Sequence, residues 1–140
     1  MSGVQVVSNV HYVVSKVEKA SEKAATMIGG AIEGHAKEAA PVDTGLLRNS
    51  ITYALGGEAP NITTYEDDAG SQTGVYDGTA PKDEDDQTTV YVGTNVEYGP
   101  YQELGAPNIN LPARPFLRPA FEQNQREISQ IILQCFRELN

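Results

Sequence analysis

Two histidines, one cysteine and a run of carboxylates are the residues best suited to chemistry in this chain, and their spacing tests each kind in turn. His11 and His35 fall in one segment of helical period. At 1.5 Å per residue a straight helix holds them roughly 36 Å apart, too far to share a metal or a proton. Each reads as a surface or packing residue. Cys135 has no histidine near it in sequence and sits among Ile131, Ile132 and Leu139, the surroundings of a small buried hydrophobe rather than an activated thiolate. The run Asp83, Glu84, Asp85, Asp86 lacks the alternating ligands and turn glycine of a calcium loop, so solvated charge is expected there. Gly56 and Gly57 do not have the spacing of a phosphate-binding loop. The residues therefore predict no catalytic group, no metal and no cofactor, and so no enzyme.

Charge narrows the partners. Ten Lys and Arg against nineteen Asp and Glu leave a net charge of -9, which opposes generic attraction to phosphate backbones. The charge is concentrated in one segment, where Glu66, Asp67, Asp68, Asp77, Asp83, Glu84, Asp85 and Asp86 stand against Lys82 alone. Eight minus one makes -7 of the -9, so the remaining chain is close to neutral. Met1 to Val14 lacks a basic start and a continuous apolar run, and no later stretch approaches the roughly 18 apolar residues of a membrane span. A soluble protein made in the cytoplasm, with no membrane partner, is expected.

The elements that must position these residues follow from period and punctuation. At 140 residues the chain fits one domain, 1–140. Apolar residues from Val10 to Ala39 recur with helical period, with Gly29 and Gly30 marking either a bend or a close helix contact. Pro41, Asp43 and Gly45 end that helix and turn the chain. Leu47 to Leu55 predicts a strand, with Ile51, Tyr53 and Leu55 on one face and Ser50, Thr52 and Ala54 on the other; Thr88 to Gly93 predicts a stronger one. Between them an excursion over about 57–87 is rich in Gly, Asp, Thr and Pro, with a possible short strand at Ile62 to Tyr65, and its length points to partner contact. Leu117, Phe121, Asn124, Ile128, Ile131, Ile132, Cys135 and Leu139 trace one face of a C-terminal helix that starts between Pro115 and Pro119. The expected fold is α+β: a long N-terminal helix and a C-terminal helix packed on a small, mainly antiparallel sheet, with a long acidic loop.

Three segments are more specified than scaffolding requires: Ala40-Pro-Val-Asp-Thr-Gly-Leu-Leu-Arg-Asn-Ser-Ile51, Val92-Gly-Thr-Asn-Val-Glu-Tyr-Gly-Pro-Tyr-Gln-Glu-Leu-Gly105 and Pro112-Ala-Arg-Pro-Phe-Leu-Arg-Pro-Ala-Phe121. Asp43 suits a cap on the turn through backbone N–H groups, and Gly45 suits a positive φ. Tyr98, Tyr101 and Leu104 fall at i, i+3 and i+6, so a short helical turn presents them together with Glu103 beside them, either to the core or to an interface. Arg114 and Arg118 flank Pro115 and Phe116, where prolines pre-set the backbone; their guanidinium groups can meet Glu97 or Glu103 within the chain or carboxylates of a neighbour.

In order and content these three segments resemble the neck and tail-component family of siphophages. This chain departs from the family pattern in having Gly99 where alanine is frequent and in its long acidic stretch. The resemblance implies a structural virion protein that forms a ring at the head-to-tail junction, connects the portal-connector complex to the tail and lines the DNA path. Implied partners are further copies of itself, in a hexamer or dodecamer, together with connector or adaptor proteins and tail terminator or tail tube proteins; DNA passes through without specific binding. A tail terminator capping the tube is a neighbouring reading. An acidic DNA mimic or inhibitor is the reading from another class, and it requires carboxylates on rigid elements at phosphate-like spacing.

Overall fold

The computed structural model describes residues 3, 5, 10–82 and 88–139, and over these the fold is α+β. Helix α1 runs over Val10–Ala39 without interruption. Its buried stripe consists mostly of small residues, Ala20, Ala24, Ala25, Ile32, Ala36 and Ala40, which lets its neighbours approach closely. Gly29 belongs to the same design. A Cβ there would lie 2.7 Å from Val90 Cγ2 and 2.8 Å from the Tyr53 ring, so the glycine marks a close helix-to-sheet contact and not a bend.

The sheet under α1 has two strands. Strand β1, Thr52–Leu55, pairs antiparallel with β4, Val90–Gly93, in the register Thr52 to Gly93 and Leu55 to Val90. The strand expected from Leu47 is shorter than the sequence suggested, because Leu46–Ser50 forms a helix, α2. Gly45 at φ 87° reverses the chain into that helix, and Leu47 and Ser50, three apart, both turn inward. Leu, Arg, Asn and Ser carry no β-branching, and extended structure begins only where Ile51 and Thr52 supply it. Both faces of β1 are covered: Tyr53 lies against Gly29 and Gly30 of α1, while Thr52 and Ala54 are also buried.

The excursion covers that second face and is better ordered than its composition predicted. Thr64–Glu66 (β2) and Thr73–Val75 (β3) form an antiparallel hairpin, which places the expected short strand two residues later than Ile62. Backbone bonds from Asn61 N to Tyr53 O (2.8 Å), Gly57 N to Ala80 O (3.0 Å) and Ala80 N to Glu58 O (2.8 Å) tie its two arms to the sheet and to each other. The Tyr76 hydroxyl donates to Ser50 O, and its ring packs at 5.5 Å from that of Tyr65. Asp83, Glu84, Asp85 and Asp86 lie outside the described residues.

The C-terminal helix is two helices. Helix α4 spans Leu117–Glu122 and α5 spans Gln125–Arg137. Asn124 explains the break: its side-chain amide donates to Ala120 O at 2.9 Å, taking the carbonyl that a continuing helix would give to a backbone N–H. Within the expected apolar face, Cys135 is buried against Met27 of α1, whereas Phe121 and Ile132 are exposed. Glu127 lies 2.7 Å from His35 Nε2 and Glu138 pairs with Lys23, so α5 runs antiparallel along α1. His35 is thus a packing residue of this seam. The main core joins Ile32 and Ala36 of α1, and Ala40 just past its end, to Leu47, Ile51, Val96, Phe116 and Ala120.

Candidate assembly surface

Folding brings the three specified segments to one corner of the molecule. The chain between Ala40 and Gly45 has to reverse tightly after α1, and Gly45 alone adopts the left-handed conformation there. Helix α3, Gly99–Leu104, starts at Pro100 in its first turn and ends at Gly105, φ 78°. The chain after it returns so that Arg114 N donates to Gln102 O at 2.6 Å. Together these place Asp43, Thr44 and Gly45 of the turn, Tyr98 and Gln102 of the α3 segment, and Arg114 around a hollow of about 330 Å³.

The corner is locked by one carboxylate. Glu103 Oε2 accepts from Phe116 N (2.7 Å) and Leu117 N (3.0 Å), and Oε1 accepts from Arg118 N (2.9 Å). These are the free donors at the start of α4, so Glu103 caps that helix from a different segment. The bonds are charge-assisted, which makes them stronger than neutral ones. Phe116, 0% exposed, continues from the capped amide into the core. The pair expected between an arginine and Glu97 or Glu103 does not form. Arg118 instead bonds Glu122 one turn on, at 3.0 Å, and among the described residues Arg114 and Asp43 have no side-chain partner. Asp43 is also not the cap of α2: the Thr44 hydroxyl accepts from Leu46 N at 3.3 Å, while Asp43 stays exposed on the rim of the hollow.

Outside the hollow the surface is apolar. Tyr98, Tyr101 and Leu104 do share a helical face, and it is turned to solvent rather than to the core, with Tyr101 54% and Leu104 77% exposed. Ile109, 68% exposed, stands on the short 3-10 turn that follows, Pro107–Ile109. Sequence reading missed Ile109; its signal is a lone aliphatic residue inside the polar turn Pro107 to Asn110.

The acidic residues divide by role. Asp67 is buried and accepts from Ser71 N at 2.7 Å, closing the tip of the β2–β3 hairpin. Asp68 accepts from Arg48 at 2.6 Å and from Asn49 at 3.0 Å, and its carboxylate sits where a Gly45 side chain would be. Hydrogen bonds from Asn49 and Arg48 hold the Asp68 carboxyl below its ordinary value. Glu66 and Asp77 are exposed. Among the described residues no group of three His, Cys, Asp or Glu could hold a metal ion, and no helix is long and apolar enough to cross a membrane.

A family model described as "Bacteriophage HK97-gp10, putative tail-component" matches residues 5–105, well over half of the chain. That stretch holds two of the three specified segments, Ala40 to Ile51 and Val92 to Gly105; the third, Pro112 to Phe121, lies beyond it and joins the corner through Glu103. No curated protein and no solved structure matches. The chain belongs to the HK97-gp10-like family of bacteriophage tail components.

Proposed function

We propose that this protein is a structural subunit of a tailed-phage virion, repeated as a ring at the head-to-tail junction, where it connects the portal-connector complex to the tail and surrounds the DNA path without turning over a substrate. The observation that carries this reading is the corner surface: Tyr101, Leu104 and Ile109 stand in solvent near a hollow in which Asp43 and Arg114 have no side-chain partner among the described residues. Large apolar side chains held outward next to uncompensated charges suit a subunit interface, with an apolar centre and polar rim. Electron microscopy of purified virions carrying a labelled copy tests the assignment. Density at the neck is the expected result, and location in the capsid shell, at the distal tail or outside the particle overturns it.

The acidic excursion fits the same setting. Asp67 is buried and Asp68, though exposed, is paired with Arg48, so Glu66 and Asp77 are the exposed described carboxylates of the segment outside that pair, and Asp83 to Asp86 add four charges in sequence. A lumen lined this way repels phosphates and lets DNA slide. Neutralising Asp83 to Asp86 slows DNA ejection from mutant virions if they face the channel; unchanged ejection with weakened binding to a purified basic neck partner assigns them to that partner instead. The internal engagement of Asp67 and Asp68 counts against a phosphate-mimicking array.

A further inference from the structure

The two edges of the sheet under α1 differ in their hydrogen bonds. Bonds from Gly56 N to Thr89 O, Asn61 N to Tyr53 O and Glu58 N to Leu55 O fix its parity. Thr52 and Ala54 of β1 bond to Gly93 and Tyr91 of β4, while the Tyr53 and Leu55 carbonyls turn to the excursion. In β4 the residues whose backbone points away from β1 are therefore Val90 and Val92. Among the described residues no hydrogen bond reaches their N–H or C=O groups. Space adjoins them: a hollow of about 250 Å³ opens on Tyr91, Val92 and Gly93, and a Cβ on Gly93 would touch nothing within 4 Å. Folded proteins guard such an edge with charge, proline or a bulge. Val90-Tyr91-Val92-Gly93 has none of these, and its sheet has only two strands, fewer than a stable sheet ordinarily needs. Alternating backbone donors and acceptors recognise an extended chain.

The sequence contains a segment that fits. Val4-Gln5-Val6-Val7, ahead of α1, is β-branched at every position but Gln5 and has no charge and no proline. Gln5 is exposed and belongs to no element. One subunit cannot bring this segment to β4. Val90 packs against Gly29, and from Val10 to Gly29 α1 rises roughly 28 Å. Extended chain from Val4 to Val10 spans at most about 22 Å, and Val7 stays within about 11 Å of Val10. We infer that the Val4–Val7 segment of a second copy adds antiparallel to the open edge of β4, with Val6 opposite Val90 and Val4 opposite Val92. Those two pairs exchange their backbone bonds, the Val4 and Val6 side chains join Val90 and Val92 on the face toward α1, and Gln5 falls beside Tyr91 on the other. An arm of one subunit on an edge of the next is a heterologous contact, the kind that closes into a ring when its rotation permits. The inference rests on the proposed ring and names the contact that builds it.

Cysteine pairing tests it in the full chain. Gln5 and Tyr91 form the pair without mutual backbone bonds, where side chains come closest. Gln5→Cys and Tyr91→Cys variants, one of them carrying a mass tag, are oxidised alone and mixed one to one under native conditions; Cys135 is buried and stays out of reach. The expected result is a mixed covalent dimer, and a ladder when both substitutions sit in one chain. Val6→Pro removes a donor from the arm and weakens self-association on the order of tenfold or more by sedimentation, with unchanged circular dichroism as the check on folding. Gln5→Ala keeps every backbone bond and leaves self-association unchanged. Oligomers that survive Val6→Pro, or that crosslink only between two Tyr91→Cys chains, overturn the arm-on-edge contact and leave the ring reading intact. A wild-type chain that stays monomeric and never enters virions overturns the ring reading and the contact with it.

Discussion

Two corners of this protein use a carboxylate to hold backbone in place, and they do so by different physics. At the α3–α4 corner, Glu103 takes three backbone N–H groups from a helix start and uses no cation. At the hairpin corner, Asp68 meets Arg48 and Asn49, and its own N–H reaches Thr44 O at 2.9 Å. The first arrangement satisfies donors that the helix cannot satisfy itself, and it sits directly above the fully buried Phe116. The second is an exposed ion pair, weakened by water and salt. Acidic side chains of one formal charge thus have unequal roles: one organises the α3–α4 corner, the other steadies a loop.

Substitutions can break this contrast, and their effects should fall in a definite order. Phe116→Ala removes the anchor below the Glu103 cap and opens a cavity in the main core; a loss of about 3–5 kcal/mol in denaturant unfolding is expected. Glu103→Ala leaves three donors of α4 without their acceptor, and about 2 kcal/mol should be lost. The loss should persist at high salt, because the cap rests on hydrogen bonds with no partner cation. Should 1 M NaCl abolish it, the distinction between the two corners would be wrong. Gly45→Ala places a side chain at φ 87° and against the Asp68 carboxylate; roughly 1–2 kcal/mol is expected from the left-handed backbone, with Arg48 and Asp68 forced to separate.

The smallest effect belongs to Asp68, and pH reveals it. Its folded pKa is lowered from the ordinary value of 3.8, so the stabilisation it contributes is present above that value and is lost as pH falls below it, through the folded pKa. Asp68→Asn should therefore match wild type under acid conditions and fall short of it near neutrality, a gap that salt narrows. Thermal melts of both proteins across that range measure it. A gap that widens with acid would contradict the direction of the shift.

Element boundaries were legible wherever local chemistry is decisive. The period of α1, the stop at Pro41, the positive φ at Gly45 and a start of the C-terminal helix between Pro115 and Pro119 all follow from residues within a few positions of each other. The errors share a cause. The Leu47 to Ser50 segment reads as extended because it leads into the alternation of Ile51, Tyr53 and Leu55; its residues lack β-branching, and burying Leu47 and Ser50 favours the helix. The α4–α5 break depends on Asn124 reaching Ala120 O, a choice among rotamers that composition does not reveal. Glu103 stands out in the sequence beside the aromatics, with an arginine of the same chain as one partner left open; a carboxylate's attraction to backbone donors depends on where another segment's helix begins.

From sequence alone came the α+β plan, the failure of His11, His35 and Cys135 to assemble a catalytic group, and the phage-tail character of three motif segments. The first two rest on short-range periodicity and residue types, which the chain carries without folding, and the third on the resemblance of its motifs to those of a known family. The tertiary structure decided which carboxylates are spent internally, at Asp67, Asp68 and Glu103, and which aromatic and aliphatic residues stay outside, at Tyr101, Leu104 and Ile109. Period places a side chain on a face of its helix. Only the packing of distant segments determines whether that face meets the core or the solvent.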